Sequence, residues 1–71
     1  MKPAEIRSRR ADIARAVRDE YPKARLSWLG STLFVDVGER TASLTVLLDD
    51  EGITASDLVN NVLDRLWERL H

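Results

Sequence analysis

With 71 residues, no cysteine and a net charge of -1, the chain has room for one hydrophobic core and none for a disulfide framework, a thiolate nucleophile or a cysteine zinc site. Its one histidine is the last residue, His71, which leaves a histidine metal site or a catalytic triad without its parts. No apolar run reaches the roughly 18 residues of a membrane span, and the N-terminal stretch is polar where a signal peptide is apolar, so the expected compartment is a reducing cytoplasm.

From Pro3 to about Glu20 the pattern is helical. Pro3 suits a first helical turn, Glu5 complements the positive helix end, and Pro22 stops the run after Tyr21. At 100° per residue Ile6, Ile13 and Val17 fall within about 40° of one another, with Ala14 and Tyr21 at the edge. This is a narrow apolar stripe, rich in alanine, that suits close packing on whatever it covers.

The middle of the chain reads as a meander of three strands. Gly30-Ser31 is a two-residue hairpin signal between Arg25–Leu29 and Thr32–Val37, pairing Trp28 with Leu33, Leu26 with Val35 and Ala24 with Val37 on an apolar face. The opposite face pairs Leu29 with Thr32, Ser27 with Phe34 and Arg25 with Asp36, an opposite-charge pair. A second turn through Gly38, Glu39, Arg40 and Thr41 places Val37 opposite Ala42, Val35 opposite Leu44 and Leu33 opposite Val46. Both hairpins then agree on which side is core, a strong constraint because a one-residue slip turns every core side chain to solvent. The outer strands span 24–29 and 42–48, and Leu44–Leu48 lacks the charge or proline that usually guards a sheet edge.

After the polar break Asp49-Asp50-Glu51-Gly52, the residues Ile53, Thr54, Asp57 and Leu58 fit a capping box with its hydrophobic staple. Leu58, Val59, Val62, Leu63, Leu66, Trp67 and Leu70 follow as a broad apolar face of the kind that covers a sheet. Trp28, on the inner sheet face, and Trp67, on this helix, are both expected in the core. No linker or repeat divides the chain. The expected fold is a single α+β domain over residues 1–71, a two-layer α-β-β-β-α sandwich whose three-stranded antiparallel meander carries both helices on one face.

Candidate chemistry is sparse. The run Asp49, Asp50, Glu51, with Asp57 nearby, lacks the alternating ligands of a calcium loop and reads as a solvated turn before a helix. Gly30, Gly38 and Gly52 are dispersed turn residues, and no histidine or lysine is placed to activate a hydroxyl nucleophile. No catalytic residue, metal, cofactor or small-molecule substrate is indicated; an enzyme would need a site completed across a dimer.

Two surfaces remain. On the outer sheet face Leu29, Thr32 and Leu47 form one expected row and Ser27, Phe34 and Thr45 the next, an apolar cluster rimmed by hydroxyls that no element of a two-layer domain covers. Such a cluster fits a protein partner or a homodimer; the alternative is a set of strand-favouring side chains with no partner. The other surface is electrostatic. Residues 1–25 stand at +4 and residues 26–71 at -5, and Arg7, Arg15 and Arg18 share a sector of about 80° on the first helix, with Arg10 elsewhere on it. These four arginines are the candidate phosphate contacts of an RNA- or DNA-binding module. The element order resembles that of the double-stranded RNA-binding domain. That family's second helix begins with lysines, whereas Thr54, Asp57 and Asp64 stand here and the acidic run 49–51 repels a phosphate backbone. The arginines also fit solvated pairs, Glu5 with Arg9, Asp12 with Arg15 and Arg15 with Asp19. The preferred expectation is a non-enzymatic protein-interaction module, an adaptor, assembly factor or small inhibitor, that self-associates or binds a larger protein through the outer sheet face.

Overall fold

The computed structural model describes all 71 residues. The element order is α1 (Pro3–Glu20), β1 (Arg25–Leu29), β2 (Thr32–Val37), β3 (Arg40–Thr45) and α2 (Ala55–Leu70). The strands form one antiparallel sheet in the order β1-β2-β3, and both helices pack on the same face of it. The α-β-β-β-α layering expected from the sequence is the observed one.

Each boundary has a local cause. Pro3 opens α1, where a missing N–H costs nothing, and α1 ends where Tyr21 donates its N–H to the Val17 carbonyl at 2.7 Å, immediately before Pro22. The first hairpin has the expected register from Arg25–Asp36 to Leu29–Thr32. Its turn residue Gly30 has φ of 60°, and no residue other than glycine has a positive φ, so Gly30-Ser31 is a type II′ turn. At α2 the Thr54 hydroxyl accepts the Asp57 N–H at 3.1 Å. Ile53 packs on the core ahead of buried Leu58, as the staple requires.

The second hairpin corrects the sequence reading. It turns through Gly38-Glu39 alone, with Gly38 at φ 62°, so Arg40 and Thr41 join the strand and β3 pairs two residues away from the expected register. Val37 faces Arg40, Val35 faces Ala42 and Leu33 faces Leu44. The reason is the same Gly-X turn chemistry that sets the first hairpin. Because side chains alternate with period two, a shift of two residues keeps each one on its expected face. The core is accordingly intact: Ile13 and Val17 from α1, Ala24, Leu33, Val35, Ala42, Leu44, Val46 and Leu48 from the sheet and its continuations, and Leu58, Val62, Leu66 and Leu70 from α2 are buried.

Trp67 is the second correction. It is 60% exposed, while Trp28 is half-buried against the core. The fully packed row of α2 is Leu58, Val62, Leu66 and Leu70, and each four-residue step rotates 40° around the helix. Trp67 stands about 120° from the centre of that row at 100° per residue. Val59 and Leu63, on the same flank, are half-buried, and Trp67 completes the gradient outward.

Candidate functional site

The outer sheet face is open. Leu29 is 73% and Leu47 56% exposed, and Ser27, Thr45, Arg25 and Asp36 are exposed as well. Phe34 and Thr32 are half-buried by their cross-strand neighbours. The observed register sets three rows: Leu29–Thr32–Thr45, Ser27–Phe34–Ser43 and Arg25–Asp36–Thr41. Leu47 therefore leaves the row with Leu29 and Thr32 that the sequence suggested; Thr45 takes its place. Leu47 lies beyond the paired part of β3, where it borders a depression of about 320 Å³ together with Ile53, Asp57, Asn61 and Arg65. The apolar surface thus has two lobes, Leu29 with Phe34 on the sheet and Leu47 at its corner.

One position of the β3 edge carries a guard that composition alone did not show. Val46 donates its N–H to the Ser31 carbonyl at 2.8 Å, so Thr45, one residue away, turns its backbone to the free edge. Arg65 covers that position by donating Nη1 to the Thr45 carbonyl at 2.7 Å. At the end of β1, Arg10 donates Nη2 to the Gly30 carbonyl at 2.9 Å, and its guanidinium carbon lies 5.4 Å from the Trp28 ring centroid. A charged side chain on an edge carbonyl discourages strand addition there, so Arg65 guards one position of the β3 edge.

The same contacts divide the four candidate arginines. Arg10 is half-buried and tied to Gly30 and Trp28, which sets it apart from the other three. Arg7, Arg15 and Arg18 remain exposed together on α1. Of the three expected helix pairs only Arg15–Asp12 forms, at 3.8 Å. Arg9 does not pair with Glu5; it crosses to three backbone carbonyls of the loop before α2, Leu48 at 3.4 Å, Asp50 at 2.9 Å and Ile53 at 2.7 Å. No feature of the local sequence marks this cross-chain role, since the partners lie about forty residues away.

The acidic turn is used locally. Asp50 Oδ1 accepts the Gly52 N–H at 2.8 Å, and Glu51 pairs with the Met1 ammonium at 3.0 Å. No three carboxylate or imidazole groups converge on a point that could hold a metal ion. The hydrogen bond and charge of Glu51 raise the Met1 ammonium pKa above the ordinary range for an amino terminus. No helix is long and apolar enough to cross a membrane. No family model matches the chain, and no curated protein or solved structure matches it either. The class that stands is a small α+β domain with an uncovered sheet face and a basic first helix.

Proposed function

We propose that the chain is a non-enzymatic protein-interaction module that associates with a second copy of itself through the outer sheet face. The observation that carries this reading is the exposure of Leu29 on the side of the sheet that no element of the chain covers, with Phe34 beside it and exposed Leu47 at the sheet corner, in a domain with few large apolar residues to spare. A second copy is the occupant that the charge pattern favours. Arg25 and Asp36 sit side by side in register and the remaining polar groups are hydroxyls, so the face is charge-balanced and two copies meet without net repulsion.

Size sets the strength. With strands about 4.8 Å apart and a rise of about 3.3 Å per residue, five residues on three strands cover roughly 250 Å² in plan. Even doubled for side-chain relief, that is below the roughly 800 Å² per partner of a stable complex. Self-association through this face is therefore weak and concentration-dependent. Light scattering across a concentration series tests it, comparing the parent with Leu29→Lys combined with Leu47→Lys, both exposed enough to leave the fold intact by circular dichroism. A mass that rises with concentration in the parent and stays monomeric in the variant supports the proposal. A parent that stays monomeric throughout overturns it.

A second reading has its own observation: Arg7, Arg15 and Arg18 are exposed on one helix face, with Asp12 the only carboxylate paired with any of them. Three phosphate contacts would give a slope of log affinity on log salt of roughly -3 on duplex DNA, by about 0.9 per contact. Random duplex binding with that slope, lost on Arg15→Ala with Arg18→Ala, would favour this reading.

A further inference from the structure

A groove on the helical layer, separate from the sheet face, carries chemistry of its own. It lies between the end of α1 and the outer flank of α2, has a volume of about 480 Å³, and is lined by Glu20, Tyr21, Asn60, Leu63, Asp64 and Trp67. Trp67 does not depend on burial for its orientation. Its ring stacks on His71 with centroids 4.7 Å apart and planes 19° apart, and His71 Nδ1 donates to the Trp67 carbonyl at 3.1 Å. Tyr21 joins the cluster, with its ring 6.4 Å from His71. The result is an aromatic cluster at the groove, with the Trp67 ring largely open to solvent.

Two exposed carboxylates, Glu20 and Asp64, line the same groove, and neither takes part in an ion pair. Every lining group is neutral or negative. An aromatic face attracts a cation, tryptophan most strongly, and an adjacent carboxylate adds directed hydrogen bonds. A metal ion fits poorly, because no three ligands converge here. A guanidinium fits well: it is flat, weakly hydrated, stacks on an indole and offers a fork of N–H donors to carboxylates.

We infer that this groove receives an arginine side chain presented by another protein, stacked on Trp67 and donating hydrogen bonds to Asp64 and Glu20. The occupant follows from charge complementarity with the lining residues and is independent of what the sheet face binds. Because the groove lies on the helical layer and Leu29 on the sheet layer, both can be occupied at once, as an adaptor requires.

The chain has two tryptophans, Trp28 and Trp67, and therefore two indole N–H signals in a nitrogen-15 NMR spectrum. The probe is a capped Gly-Arg-Gly peptide, with the same peptide carrying citrulline, which keeps the shape and removes the charge. The Trp67 signal is expected to move and saturate with the arginine peptide while the Trp28 signal stays, with citrulline weaker by about tenfold. Asp64→Asn with Glu20→Gln, both surface changes, should weaken arginine binding by about tenfold in a folded protein. A Trp67 signal that does not move, equal binding of citrulline, or unchanged affinity in the double variant would each overturn the inference.

Discussion

Arg9 Nη2 donates to the Ile53 carbonyl at 2.7 Å, joining the first helix to the residue that precedes the cap of the second. The same guanidinium also holds the carbonyls of Leu48 and Asp50, so one side chain satisfies three acceptors of the β3–α2 loop. This contact ties α1 to the loop that leads into α2. Arg9→Ala is expected to lower unfolding free energy by about 2 kcal/mol, as lost charge-assisted hydrogen bonds do. Arg9→Lys should recover little, because an ammonium lacks the planar fork that spans these acceptors. Urea denaturation of the three proteins measures both.

The two tryptophans should respond differently from what their place in the apolar pattern implies. Trp67→Ala is expected to cost well under the roughly 3 kcal/mol or more of a core aromatic truncation, because the ring is mostly in solvent. Leu66→Ala, one residue earlier and fully buried, should cost about 3 kcal/mol. Thermal unfolding of the two variants side by side checks the order; a larger loss for Trp67 would contradict the assigned helix rotation.

Gly38 decides the register of β3. At φ 62° it has nothing within 4 Å of where a Cβ would stand, so the penalty of Gly38→Ala is backbone strain alone. That strain is about 1 to 3 kcal/mol. The variant should lose this much stability by urea denaturation, and amide exchange should quicken in β3 before it quickens in α2.

The Thr54 hydroxyl holds the Asp57 N–H at the start of α2. Thr54→Ala should cost about 1 kcal/mol and Thr54→Ser almost nothing, since serine caps as well as threonine. Helicity by circular dichroism and the urea midpoint read the difference.

Glu51 raises the Met1 ammonium pKa above its ordinary value, chiefly through their hydrogen bond. A pKa raised by folding means that the contact helps the fold while the amine is charged and stops helping as pH rises through the raised value. Glu51→Gln should bring the amine titration, followed by NMR, down toward that of a free amino terminus. The contact is on the surface, so the accompanying stability change should be small.

Much of this arrangement is fixed by local rules. Pro3 and Pro22 bound α1, Gly30-Ser31 sets the first hairpin, and Thr54 starts α2, each through backbone chemistry confined to a few residues. The alternation of apolar and polar residues assigns the sheet faces so firmly that a two-residue change in β3 register leaves Leu33, Val35, Ala42 and Leu44 in the core. The sequence reading runs the second turn too long, through Thr41, although Gly38-Glu39 repeats the Gly-X signal of Gly30-Ser31.

Tertiary structure alone decided what the arginines and Trp67 do. Arg9, Arg10 and Arg65 carry long side chains whose partners are carbonyls twenty to forty-four residues away, and a carbonyl belongs to every residue, so no sequence spacing announces the match. Apolar periodicity likewise names a face of α2 but not how much of it the sheet and α1 reach. That limit is set by how the layers dock, which leaves Leu66 sealed and Trp67, one residue on, at the mouth of a groove.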